Sequence, residues 1–260
     1  VIQRELDWHN QESYKRTSLN DVLYKPPAFD AVTQSGYDFL QPHAGEWILD
    51  FGGGEGKESL DLAKRGLVVV NADLSTTQLK RARDLVQSGA PDARIYYIQA
   101  DAENLPFADR AFRILYGKAI LHHLDIKRAA QEIKRILWNE GKATFAEPMA
   151  HHPLFKLART LTPSLRTVDE HPLTENATRS FVGHFAEDHT TSHFLTAPGA
   201  YVLRVLPGGE KLFRWTHRLL QKLDDVLFSR FPKIQKWAWY RVVNVIKSQA
   251  GSNPDNSTAA

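Results

Sequence analysis

Apolar positions in the first two thirds of the chain fall in short unbroken runs, separated by stretches of helical period. Trp47-Ile48-Leu49-Asp50-Phe51 is the first run, and Leu67-Val68-Val69-Val70-Asn71-Ala72 is the second. The second is β-branched without alternation, as suits a strand buried on both faces. Residues 94–99, 112–116 and 142–146 supply three more runs. The pattern predicts helices over 29–41, 57–65, 77–86 and 127–137, the third of these capped by Ser75. Strands alternating with helices at this spacing predict an α/β fold with a doubly wound, mostly parallel sheet. After Pro148 the alternation stops. Residues 149–182 read as an insertion beside the sheet, 183–206 as two final strands, and 210–229 and 234–247 as two C-terminal amphipathic helices. The expected organisation is a helical cap over 1–45, a core over 46–206, C-terminal helices over 207–250 and a disordered tail over 251–260.

The junction after the first strand carries the densest chemical signal. Asp50-Phe51-Gly52-Gly53-Gly54-Glu55-Gly56 packs four glycines behind an acid, and a helix follows. A strand, a tight glycine turn and a helix open the ligand crevice of a parallel α/β sheet. Glycines there let a ligand approach the backbone. The dinucleotide pattern G-x-G-x-x-G fails, because counting from Gly52 its last position is Lys57. Asp50 would repel a pyrophosphate and suits a ligand that brings positive charge. S-adenosylmethionine (SAM), with an ammonium and a sulfonium, is such a ligand. Asp73 ends the second strand 21 residues after Gly52 and is expected to accept hydrogen bonds from ribose hydroxyls. Its alternative is an acid favoured by the dipole of the following helix.

The spacing Asp50, Gly52, Gly54, Gly56 resembles the first motif of class I SAM-dependent methyltransferases. Ala100-Asp101-Ala102-Glu103 resembles the segment of that family that reads adenine. Leu105-Pro106-Phe107-Ala108-Asp109-Arg110-Ala111-Phe112 matches a further family run, with Arg113 where an acid is common. From about Tyr24 to Glu147 the chain is similar to the small-molecule type that includes the ubiquinone and menaquinone C-methylases and sugar O-methyltransferases. The resemblance implies a seven-stranded sheet whose last strand is antiparallel. It also implies a cofactor set of Asp50, Gly52, Gly53, Gly54, Gly56, Asp73, Leu74, Asp101, Ala102, Glu103 and Lys118, with SAM as the cofactor. It leaves open whether oxygen, carbon or nitrogen is methylated.

A hydroxyl acceptor needs a base with a pKa near the working pH, and histidine fits. Leu121-His122-His123 follows the fourth strand, at the end of the sheet where such folds place ligands. His123 is the first candidate base and His122 the second; the alternative is that one packs on the cofactor while the other caps a turn. Glu147, ending the fifth strand, is expected to orient or stabilise a protonated histidine, or else to pair with a surface arginine. The insertion adds His151, His152, Arg166, Asp169, Glu170 and His171, expected to wall the pocket with His171 as a rival base, or to lie solvated in a loop. No metal site is expected, since adjacent histidines point apart and no third ligand is evident.

Composition narrows the partners. The chain has 260 residues, a net charge of +3 and no cysteine, which removes disulfides and thiolate metal sites and makes a cytoplasmic location the default. No apolar run approaches the ~20 residues of a membrane span, and the opening residues do not read as a signal peptide. Near-neutral charge argues against nucleic acid, and the expected substrate is a small molecule. Residues 211–247 hold nine Lys or Arg against Asp224 and Asp225, interleaved with aromatics. Leu212, Trp215, Leu219, Leu223 and Val226 recur at helical spacing and are expected to pack on the sheet or on the second helix. The sharper alternative is a helix lying on an anionic membrane, which would suit a lipid-like substrate. Function is therefore expected to be methyl transfer to a small organic acceptor, at a hydroxyl first. The alternatives are C- or N-methylation of a quinone, polyketide, prenyl or lipid-like acceptor, and a non-catalytic SAM-fold protein that docks through its C-terminal helices.

Overall fold

The five apolar runs become β1 (Trp47–Phe51), β2 (Val68–Asp73), β3 (Ile95–Gln99), β4 (Phe112–Lys118) and β5 (Leu137–Pro148). The computed structural model describes residues 29–154, 156 and 172–249. The helices between the strands are α1 (Asp30–Leu40), α2 (Lys57–Lys64), α3 (Thr76–Gly89) and α4 (Ile126–Ile136). Their boundaries follow from side-chain chemistry. The Ser75 hydroxyl accepts from the Gln78 N–H at 3.2 Å, and Asp125 caps α4 through the N–H groups of Lys127 and Arg128. The rest of the chain forms α5 (Glu175–Val182), the short strands β6 (Glu187–Asp188) and β7 (Thr191–His193), α6 (Glu210–Arg230) and β8 (Tyr240–Ile246).

The strands pair in the order β3-β2-β1-β4-β5-β8-β6, with β7 also on β8. β1 to β5 run parallel, and β8 is antiparallel to β5. β6 and β7 pair with β8 at different points along it, so they act as one interrupted edge strand. Among the described residues the sheet thus has seven positions, with its last strand along the chain antiparallel, as the resemblance implies. One face is covered by α4 and α5, around Leu115, Ala130, Ile133, Phe145 and Phe181. The other is covered by α1 and α2, around Tyr37, Leu40, Leu62 and Tyr116.

The C-terminal third departs from expectation. A second helix over 234–247 is not formed. Residues 232–237 make a 3-10 turn, and 240–246 are β8, inserted between β5 and the edge pieces. The β-branched residues Val242, Val243, Val245 and Ile246 favour a strand there, and all of β8 but Ile246 is buried. Thr144 donates to Asn244 at 2.5 Å between β5 and β8, a buried polar pair that fixes their register. The core therefore reaches residue 246 rather than 206. β5 also starts earlier than expected, running from Leu137 through Gly141.

α6 is turned opposite to expectation. Leu212, Trp215, Leu219, Leu223 and Val226 are 44% to 65% exposed. The buried face is Phe213, His217, Asp224 and Phe228. Asp224 sets this rotation. Its carboxylate accepts from the backbone N–H groups of Leu195, Thr196 and Ala197 and from the Thr196 hydroxyl, at 2.6–3.1 Å. A buried carboxylate with four donors outweighs the transfer of a leucine stripe. Phe213 and His217 complete the docking, beside Tyr201, Phe194 and Trp239.

Candidate active site

β1 to β4 all end at one edge of the sheet, and the glycine turn closes over β1 there. Gly52, Gly54 and Gly56 have φ of +71°, +48° and +77°. A Cβ at Gly52 would stand 2.6 Å from Ile120, so the chain after β4 packs directly on the turn. A Cβ at Gly54 would meet nothing within 4 Å; this is the part of the turn open to a ligand. The Gly54 N–H donates to Asp73 Oδ2 at 2.9 Å, and the Ser75 N–H donates to Asp73 Oδ1 at 2.8 Å. Asp73 thereby ties the turn to the end of β2. An ionised carboxylate has about four acceptor sites, which leaves room for hydroxyl donors beside these two amides.

Asp50 does not line the crevice as its charge suggested. It is 1% exposed and lies beneath the turn, where the Ser59 hydroxyl of α2 donates to it at 2.5 Å and Asn71 donates to Ser59 at 3.0 Å. Burial pushes its carboxyl up to about 7, Ser59 opposes that, and the nearby Glu58 and Asp73 add to it. Lys118 bonds Glu58 at 2.5 Å. Glu58 is paired with Lys118, Asp73 stands at the end of β2, and Asp50 adds negative charge only above its raised pKa; the balance fits a cationic ligand. Ser59, Asn71 and Glu58 were missed by the sequence reading. Asn71 carries a usable signal, since it is the one polar residue in the run 67–72.

The third strand end is less uniform. Asp101 Oδ1 accepts the Glu103 N–H at 2.8 Å, and its backbone carbonyl accepts from Asn104, which shapes a tight turn around Ala102. Glu103 is committed elsewhere: it accepts the Asp125 N–H at 2.7 Å and faces Arg128 at 3.6 Å, holding the start of α4. The Leu74 carbonyl accepts from Gln99 at 3.2 Å, next to Asp73.

Beyond β4 the chain reverses at Ala119, a non-glycine residue at φ +54°. Its N–H is held by the Ala146 carbonyl of β5. Such a left-handed alanine is costly and persists only when its surroundings enforce it. The 3-10 turn Leu121–His123 follows. Glu147, fully buried at the end of β5, accepts the N–H groups of Ile120 and Leu121 at 2.9 and 2.8 Å through one oxygen. Its other oxygen meets His122 Nδ1 at 2.7 Å. The carboxylate accepts from Nδ1–H, so neutral His122 keeps its lone pair on Nε2. Glu147 thus orients His122 and not His123, whose ring lies 4.2 Å away centre to centre. His151 is exposed. His152 is buried, bonded to the Leu195 carbonyl at 3.0 Å, and burial lowers its pKa. Arg166, Asp169, Glu170 and His171 lie outside the described residues.

The sheet order, the glycine turn and an acid at each of the first two strand ends are similar to those of the class I SAM-dependent methyltransferase fold. Residues 49–145 match the family described as "Methyltransferase domain". Methyltransferase GfsG of Streptomyces halstedii is 32% identical over 143 residues, 54% of this chain and 51% of that protein. A demethylmenaquinone methyltransferase of Clavibacter sepedonicus is 27% identical over 200 residues, 72% of this chain and 77% of that protein. The chain spans about half the length of the first curated relatives it matches. In fold it is similar to the geranyl diphosphate C-methyltransferase of Streptomyces coelicolor, with a TM-score of 0.64 at 14% identity over 95% of this chain and 97% of that one.

Proposed function

We propose that this domain transfers the methyl group of SAM to a small organic acceptor, at a hydroxyl deprotonated with the help of His122. The observation that carries the reading is the Glu147–His122 pair, seated on a turn whose Ile120 packs against Gly52. When bound, SAM supplies a methyl group on a cationic sulfur, so the protein has mainly to hold the acceptor in line at ~3–3.5 Å. Asp73 would accept from the ribose hydroxyls, Gly54 would leave room for the ligand against the backbone, and Asp101 with Ala102 would meet the adenine edge. Asp50, Glu58 and Asp73 would favour the positive charges electrostatically. His122 would take the acceptor proton at Nε2, and Glu147 would hold the imidazole in the right tautomer and stabilise its protonated form. His123 and His171 are the other candidate bases, the His123 ring lying tilted at 38° beside that of His122.

A second reading is supported by the long match to a demethylmenaquinone methyltransferase. In it the acceptor is a carbon, and the Glu147–His122 pair steadies charge developing on the acceptor ring. Incubation with methyl-labelled SAM and pools of hydroxylated and quinol acceptors, with mass analysis of the products, distinguishes the two. In the hydroxyl reading, His122→Ala slows turnover by ~10²–10⁴ with SAM affinity kept. A variant that turns over at the normal rate removes His122 from the reaction.

A further inference from the structure

The side of α6 turned away from the core has an order of its own. At 100° per residue, Leu212, Trp215, Leu219, Leu223 and Val226 fall within an arc of about 80°, and they extend about 21 Å along the axis. All five are exposed, Trp215 at 65% and Val226 at 63%. Lys211, Arg218 and Lys222 are exposed and lie along one flank of that arc. The acids of the helix are placed elsewhere. Glu210 pairs with Arg214 at 3.0 Å, Asp224 is buried in the core contact, and Asp225 sits on the far side of the basic row. Just beyond the helix, Phe231 and Trp237 are 55% and 44% exposed, near Lys233 and Lys236. No helix among the described residues is long and apolar enough to cross a membrane.

We propose that this face of α6 is an interfacial surface that docks the protein on an anionic lipid bilayer. The apolar stripe would enter the boundary between headgroups and acyl chains, with the axis parallel to the membrane, while the basic row meets lipid phosphates. Charge complementarity selects this occupant. A second copy of the chain would bring another basic row to the same contact and no acidic row to meet it, whereas an anionic surface attracts it. Trp215 suits the same position, since an indole ring places an apolar body and a polar N–H at one interface. The buried contacts of Asp224 and Phe213 hold the stripe outward whether or not lipid is present. The proposal goes beyond the methyl-transfer reading and does not depend on it.

The test is co-sedimentation of the full chain with vesicles of equal parts phosphatidylcholine and phosphatidylglycerol, against vesicles of phosphatidylcholine alone. Wild type is expected to pellet with the anionic vesicles, less so at high salt, and to stay in solution with the neutral ones. Arg218→Glu with Lys222→Glu should weaken binding by about thirtyfold or more, at about a fivefold loss per removed basic charge. Leu219→Glu with Leu223→Glu should abolish it. All four positions are exposed, so circular dichroism and SAM calorimetry should read as wild type in both variants. Wild type remaining in solution with anionic vesicles overturns the proposal, as does pelleting of the leucine variant. A dimer in solution that the leucine variant splits would make a second copy the occupant and overturn it too. Loss of SAM binding by wild type would count against the proposed reaction alone.

Discussion

Asp50→Asn separates what the buried acid costs from what it contributes. The substitution keeps shape and an acceptor for the Ser59 hydroxyl while removing the charge. In the folded chain the Asp50 pKa stands at about 7, against 3.8 ordinarily. Between those values the folded state holds a proton that the unfolded state has released, so wild-type stability falls as pH rises through that window. Three units correspond to about 4 kcal/mol at pH 8, at 1.36 kcal/mol per unit. Water entry and relaxation around the carboxylate make that an upper bound. The asparagine variant should therefore be the more stable protein at pH 8, by up to about 4 kcal/mol, and its advantage should shrink by roughly 2–3 kcal/mol at pH 5. Urea unfolding of both proteins at the two pH values measures the gap. SAM calorimetry should move the other way, with weaker binding in the variant, because the field under the turn is lost. A stability gap that does not change with pH, or a wild type more stable than the variant at pH 8, would refute the reasoning.

Three further outcomes follow from the geometry. Gly52→Ala places a Cβ 2.6 Å from Ile120 at φ +71°, so chemical denaturation should register a loss of about 2–5 kcal/mol, and transfer should fall as Ile120 shifts the His122 turn. Asp73→Ala removes acceptors of the Gly54 and Ser75 amides together with the proposed ribose contacts; SAM affinity should drop by ~1.5–3 kcal/mol in calorimetry, and unchanged affinity would count against the assignment. Asp224→Ala leaves four donors without their acceptor beneath α6, so thermal unfolding should show a loss of about 2–4 kcal/mol with the sheet order kept.

β1 to β4 and the helices between them were legible in the sequence because each signal was local. An apolar run, a capping Ser75 and a glycine turn each act within a few residues. β8 was not legible, since a strand buried on both faces has no alternation, and the aromatic and basic residues before it carry helical spacing. The rotation of α6 was hidden for another reason. Hydrophobic periodicity names the leucine stripe as the inner face, and only the tertiary contact of Asp224 with residues 195–197 reverses it. At the site, the glycine turn and the place of Asp73 at the end of β2 could be read directly, whereas the burial of Asp50 beneath the turn depends on Ser59 and Asn71 from other elements. That Glu147 meets His122 could not be read, because it depends on which ring the end of β5 reaches in the loop after the neighbouring β4. Ala119 carried no signal either, since nothing in an alanine announces a left-handed turn.

Among the described residues β8 is the last strand of the sheet along the chain, yet it lies between β5 and the edge pieces. During synthesis β5 can gain its outer neighbour only after Tyr240–Ile246 has left the ribosome, by which time every other strand is already available. Until then the outer side of β5 offers unpaired amides and carbonyls, a template for association with other chains. A chain cut short before Tyr240 would keep the glycine turn and the His122 loop but not a complete sheet, so it should accumulate in aggregates rather than as a smaller working domain.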